Sequence, residues 1–312
     1  MVRYINKLTG FFLLFYTLLL FSCSGPESVV VCFDADSEIL SYGVEKLSAQ
    51  LQSAGYRVRK CDPAREALRS PGPEASVQIQ VVDLSSGIQP EGYRISREGN
   101  AVLISGGSAR GCLYGIMDLL EQIGPTGDLS LAEEVQVDPA LSFRAIKFNL
   151  PWSPYRPGPA TELHRETCRD PGFWEAFLDR MVENRFNALT LWNTHPFPYM
   201  IRARNYPKAT PFTDEELNEW KRFWRTLFRM ARVRGIETYI VNWNIVVSPE
   251  FAREYGAEEL NDLSDLVKKY TRESVTQVIN EYEDLTGLGV TLADWMGNWG
   301  DLKMTPKDRE DW

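Results

Sequence analysis

Between Leu141 and Leu292 the chain alternates four times between a short apolar run of strand character and a longer segment with helical spacing. Nothing else in the sequence restricts the fold as much, because this alternation builds a parallel sheet covered by helices. Phe143–Phe148 reads as a strand ending in Asn149-Leu150-Pro151-Trp152. Asp170-Pro171 then supplies an N-cap and a proline at the first helical position, for a helix to about Glu183. Ala188–Trp192 is the next strand and ends in Asn193-Thr194-His195. Thr213 followed by Glu216 is a capping-box start for a helix to about Arg234, with Gly235 as its stop. Thr238–Val241 is the third strand, running into Asn242-Trp243-Asn244. A helix across Leu260–Leu285 precedes the fourth strand, Gly287–Leu292, which leads into Ala293-Asp294-Trp295.

Polar and aromatic residues at the C-terminal end of every strand point to a (β/α)8 barrel, whose active sites lie at that pole. A doubly wound sheet would need a phosphate-binding turn after its first strand, and none is present. A closed barrel takes eight strand–helix units, and residues 141–312 supply four strands. Thr305-Pro306 starts a further helix in which the sequence stops. The expectation is therefore an α/β chain: a small N-terminal α/β domain, then the first half of a truncated (β/α)8 barrel over 141–312. An open sheet of this kind leaves a strand edge unpaired.

Residues 24–137 show the shorter pattern of a small α/β domain. Val29–Phe33 is a buried strand, Glu38–Ala54 a helix closed by Gly55, and Tyr56–Arg59 a second strand. Pro63–Arg69 has short-helix character, and Val77–Val82 alternates as a third strand. Tyr93–Ser96 and Ala101–Ile104 form a hairpin through Glu98-Gly99-Asn100, and Ser108–Ile123 is a helix. Pro125–Pro139 is a linker holding a short strand, Glu134–Val137. Gly106-Gly107 suits a tight strand-to-helix corner, while Gly111 and Gly115 flatten one side of the helix.

The N-terminus carries Arg3 and Lys7, then an apolar run Phe11–Phe21, then Ser22-Cys23-Ser24-Gly25. This is the layout of a secretory signal, and the run is shorter than the ~20 residues of a membrane span. Leu20–Cys23 resembles the bacterial lipobox, which implies residues 1–23 as a signal segment and Cys23 as the lipidated residue. The protein is then exported and held to a membrane by a lipid anchor. A net charge of −9 with no basic stripe excludes nucleic acid as a partner. The remaining cysteines, Cys32, Cys61, Cys112 and Cys168, allow three full pairings that spacing cannot separate, and buried free thiols are the preferred reading. Only His164 and His195 are present, so no zinc-type cluster and no cofactor are expected.

Glu91–Ile123, EGYRISREGNAVLISGGSARGCLYGIMDLLEQI, resembles the small domain that precedes the barrel in alpha-glucuronidases and family 20 beta-hexosaminidases. The matching positions are Gly92, Tyr93, Gly106, Gly107, Gly111, Tyr114 and Gly115. Gly287–Met296, GLGVTLADWM, is similar to an alpha-glucuronidase segment that carries the catalytic acid. The resemblance puts that acid on Asp294, with Asp where the family has Glu and Trp295 where it has Asn. It implies a polysaccharide-degrading glycoside hydrolase of alpha-glucuronidase-like type. A non-catalytic glycan-binding or inactive barrel lipoprotein is the alternative, since glycosidases need two carboxylates and the four strands offer no second one, so the truncated chain alone is expected to be inactive. Strand-end position makes Trp152, Asn193, His195, Asn242, Trp243 and Trp295 the candidate contacts for an oligo- or polysaccharide.

Overall fold

The computed structural model describes residues 28–62, 75–82, 86–154, 157–243 and 246–291. The expected signal segment with Cys23, the short helix at 63–69, and Asn244, Asp294 and Trp295 lie outside the described residues.

The first unit is a six-stranded sheet. Its strands are β1 (Ser28–Cys32), β2 (Arg57–Cys61), β3 (Ala75–Val81), β4 (Tyr93–Glu98), β5 (Ala101–Gly106) and β6 (Val135–Val137), in the order β2-β1-β3-β5-β4-β6. Strands β2, β1, β3 and β5 run parallel, and β4 pairs antiparallel with both β5 and β6. The strand read into the linker is thus a member of this sheet. Two helices cover one face, α1 (Glu38–Ser53) and α2 (Ala109–Ile123). Each starts at a serine: Ser37 accepts from the Leu40 amide at 3.3 Å, and Ser108 from the Gly111 amide at 3.2 Å. Val29, Val31, Leu47, Ile104 and Ile116 are fully enclosed between the layers.

The glycines of α2 act by close approach. A methyl group on Gly115 would lie 2.6 Å from Ile104 Cγ2, and one on Gly111 would run into the Gly92 carbonyl. Gly106 and Gly107 work in the same way and not by a left-handed backbone. A Cβ at Gly107 would collide with the Gln89 carbonyl, and one at Gly106 with the start of α2.

Cys32 and Cys61 face each other in register on β1 and β2 and form a disulfide, with Cα atoms 4.6 Å apart. This corrects the expectation of free thiols for that pair. Cys112 and Cys168 are free and buried. Burial pushes the Cys112 thiol up to about 12 and the Cys168 thiol up to about 11, so both stay protonated and inert.

The second unit is a four-stranded, fully parallel sheet in the order β10-β9-β8-β7. Its strands are β7 (Ala145–Asn149), β8 (Ala188–Asn193), β9 (Glu237–Trp243) and β10 (Gly287–Thr291). This is the arc of a partial barrel, as the alternation predicts. The connecting helices are α3 (Pro159–Leu163), α4 (Pro171–Glu183), α5 (Asp214–Val233), α6 (Pro249–Tyr255) and α7 (Asp265–Glu281). The capping box closes as expected, with the Glu216 amide on Thr213 Oγ1 at 3.2 Å and the Thr213 amide on Glu216 Oε2 at 2.8 Å. The single helix expected over 260–285 is shorter and is preceded by the separate helix α6. Ser248-Pro249 starts α6, and Gly256, at φ +72°, ends it. Ser264 caps α7 by accepting from the Val267 amide at 3.4 Å.

Between the strands and α4 lies an aromatic cluster of Phe148, Phe173, Trp174 and Phe177, with Trp174 fully buried. A hydrophobic core runs without a break from the first unit into the second.

Candidate functional site

Side chains alternate along a strand, so each strand end offers one residue to the concave face and the next to the helices. The pairing registers sort them. Asn149 lies beside Trp192, Trp192 beside Val241, and Trp243 beside Thr291, all on the concave face. Asn193 lies beside Asn242 on the opposite face.

A cleft of about 690 Å³ opens at this pole. It has two parts. The inner part is walled by Trp192, Trp243, Thr291, Lys147 and Asn149 from the strand ends. Trp192 Nε1 donates to Thr291 Oγ1 at 2.8 Å, and the rings of Trp192 and Trp243 meet edge to face at 5.7 Å. Lys147 Nζ stands 4.9 Å over the Trp192 ring, a cation–π contact. The outer part follows β7, which among the described strands pairs with β8 alone, to Phe148, Phe173, Cys168 and His164. Its lining is mainly apolar, whereas the inner part brings aromatic, hydroxyl, amide and ammonium groups together. Among the described residues the cleft holds the Lys147 ammonium and no carboxylate.

The structure separates the sequence candidates. Trp243 lines the cleft with a small part of its surface, 4% exposed, as does Trp192 at 6%. Trp152 does not offer a sugar platform: it is absent from the cleft lining, and its ring is enclosed by Trp220, Phe223 and Trp224 at 4.7, 5.5 and 5.8 Å. Asn193 is buried on the helix side, donating to the Trp152 carbonyl and accepting from the His195 amide at 3.0 Å. It shapes the loops behind the mouth. Asn242 is buried on that same side. His195 is 2% exposed, with Nε2 3.0 Å from the Tyr270 hydroxyl and its ring between Phe197 and Tyr270. Burial pushes its pKa down to about 3, so it is a neutral core residue and not a sugar contact.

Four inner-wall residues, Lys147, Asn149, Trp192 and Thr291, are absent from the candidate contacts. The signal for Lys147 is in the strand itself: Ile146 and Phe148 are apolar, and Lys147 alternates with them on the side of Asn149. Two backbone links steady the mouth. The Leu150 amide donates to the Trp192 carbonyl at 2.8 Å, and the Trp243 amide to the Thr194 carbonyl at 3.1 Å. Ser153, at φ +54°, also accepts from the Thr194 hydroxyl at its carbonyl, at 2.6 Å.

Among the described residues no group of His, Cys, Asp and Glu is placed to hold a metal ion. No helix among them is long and apolar enough to cross a membrane.

An α/β unit packed on a parallel strand arc, with a cleft at the strands' C-terminal pole, is the architecture of a class of glycoside hydrolases. No protein-family model and no curated protein matches the chain. Among solved structures it is similar to a GH138 enzyme targeting the pectin rhamnogalacturonan II, at 26% identity and TM-score 0.75, over 91% of this chain and 32% of that one. It is also similar to the beta-N-acetylhexosaminidase of Bacteroides fragilis, at 13% identity and TM-score 0.55, over 83% of this chain and 51% of that one. The chitobiase of Flavobacterium johnsoniae matches at 14% identity and TM-score 0.56, over 92% of this chain and 44% of that one. The chain thus spans about a third of the first and about half of the others. The hexosaminidase likeness read from Glu91–Ile123 agrees with these matches at the level of fold.

Proposed function

We propose that the protein is an exported glycoside hydrolase whose inner cleft takes an acidic sugar of a complex polysaccharide. The observation that carries this reading is the pairing of the Lys147 ammonium with the Trp192 and Trp243 wall at the strand ends. Aromatic rings present apolar surface to the C–H side of a sugar ring, and an ammonium complements a uronate; among the described residues the cleft holds no carboxylate to neutralise it. The alpha-glucuronidase resemblance at Gly287–Met296 supports the same sugar class and makes Asp294 the general acid, with Trp295 beside it. Asp294 follows three residues after Thr291, which lines the cleft. The pectin target of the GH138 neighbour makes pectic fragments the first polysaccharide to test.

Titration of the chain with uronate-containing and neutral oligosaccharides, followed by tryptophan fluorescence, tests the assignment. Lys147→Ala should weaken binding of the acidic ligand about tenfold or more, the value of a charge-assisted hydrogen bond, and leave neutral ligands nearly unchanged. Trp243→Ala should weaken both. Equal affinity of wild type and Lys147→Ala for the uronate removes the acidic-sugar reading.

A second reading, a glycan-binding barrel without catalysis, is favoured by the lack of any carboxylate among the described cleft residues. Hydrolysis of a pectic or glucuronate-bearing glycan by the active protein decides between the two.

The anchor belongs to the same proposal: Cys23 carries lipid and holds the enzyme at a bacterial membrane. The Cys32–Cys61 disulfide supports export, because such bonds persist in oxidising compartments. Cys23→Ser should abolish labelling with a fatty-acid probe and shift the protein from the membrane to the soluble fraction. Membrane retention of that variant contradicts the anchor.

A further inference from the structure

The Glu91 carboxylate, which belongs to the first unit, sits beneath the second. Its side chain is 14% exposed and meets Arg110 of α2, Arg144 Nη2 at 2.5 Å and Asn187 Nδ2 at 3.0 Å. Arg144 immediately precedes β7, and Asn187 immediately precedes β8. Arg110 reaches on to Glu237, the first residue of β9, at 3.2 Å. The backbone repeats the pattern. The Asn187 amide donates to the Arg144 carbonyl at 3.0 Å, and the Glu237 amide to the Asn187 carbonyl at 2.9 Å. The Arg144 amide donates to Asn187 Oδ1 at 2.8 Å, and its guanidinium lies over the Tyr114 ring of α2 at 5.5 Å. One carboxylate of the small unit is therefore linked to the starts of three consecutive parallel strands.

We propose that Glu91 is a positioning residue: through Arg110, Arg144 and Asn187 it fixes the relative stagger of β7, β8 and β9, and so the placement of Lys147, Trp192 and Trp243 at their far ends. The small unit is then the floor of the strand arc and not an independent binding module. A strand of five to seven residues spans about 17–24 Å and is stiff along its axis, so a slip at its start is carried to its end. Losing one partner of such a buried cluster leaves the other charges uncompensated. Burial alone would raise the Glu91 pKa, but hydrogen bonds from Arg110, Asn187 and Arg144 outweigh it and hold it below its ordinary value of 4.5. The clamp is then complete above that value and is lost as pH falls through the lower folded value.

The Glu91 clamp acts whatever the cleft binds, so the ligand-free protein shows its effect. Amide hydrogen exchange of the full chain is compared among wild type, Glu91→Gln, Glu91→Asp and Arg110→Lys under native conditions. The reporters are the Leu150, Thr194 and Trp243 amides, which close the mouth far from Glu91. In Glu91→Gln these should exchange at least tenfold faster while buried amides of α1 keep their rates, with Glu91→Asp restoring part of the protection. Uniform acceleration across the chain would make Glu91 a source of overall stability only. Acceleration limited to Arg144, Asn187 and Glu237 would make the cluster a local contact. Either pattern, or unchanged mouth rates, overturns the proposal. If Glu91→Gln does not fold, Arg110→Lys keeps the charge, breaks the bidentate reach to Glu91 and Glu237, and is read by the same reporters.

Discussion

Trp152→Ala should lower the stability of the folded chain by about 3–5 kcal/mol, the cost of deleting a large enclosed aromatic side chain. Trp152 is 2% exposed and meets Trp220, Phe223 and Trp224 of α5 edge to face. Such contacts add to the area buried, and the vacated space is too large for the surrounding rings to refill. Trp152 also ties the loop after β7 to the strand behind it, since its carbonyl accepts from Asn193. Urea unfolding followed by circular dichroism measures the loss. Trp152→Phe should recover much of it, because the ring contacts persist in part. An unchanged unfolding midpoint in Trp152→Ala, together with lost sugar binding, would restore the platform role and contradict the packing one.

On the proposed reading, Asp294→Asn in a full-length version of the protein should reduce turnover by about 10²–10⁴-fold, the range lost when a positioned general acid is removed. The amide cannot donate the proton that the leaving oxygen needs. Substrates with strongly acidic leaving groups need little protonation, so the loss should shrink for them. An acid at this position has to be protonated near neutral pH, which calls for apolar walls or a neighbouring carboxylate. Trp243, paired with Thr291 at the end of the fourth strand, and Trp192 in the same cleft are the apolar residues proposed for such a wall. Turnover within twofold of wild type would take the acid role away from Asp294.

The sequence carries the repeating part of the fold plainly. Capping residues set helix starts to the residue at Asp170 and Thr213, because each cap is a local bond between neighbours in the chain. The helix Pro249–Tyr255 is less visible, since its seven residues hold too little periodicity, although Ser248-Pro249 and Gly256 mark both ends. The disulfide is invisible for another reason. Cys32 and Cys61 meet only once β1 and β2 are paired in register, and pairing is a property of the sheet.

The site is half legible for a reason of parity. Strand ends are easily located, but a shift of one residue moves a side chain to the other face. Choosing Asn193 over Trp192 selected the helix side, as did Asn242, while Trp243 fell on the concave side. Lys147 is hidden in a run otherwise read as apolar, and only its alternation with Ile146 and Phe148 marks it. His195 shows the limit of residue type as a guide. Its polarity suggests a contact with substrate, yet Tyr270, seventy-five positions away in sequence, encloses it.

On the proposed reading an acidic sugar binds in the inner cleft. A crystal structure of the protein soaked with a short uronate-containing oligosaccharide tests it most directly. The expected result is a sugar ring against Trp192 and Trp243 with its carboxylate within hydrogen-bond distance of Lys147 Nζ. A sugar bound elsewhere on the molecule, or one whose carboxylate points away from Lys147 toward solvent, would contradict it.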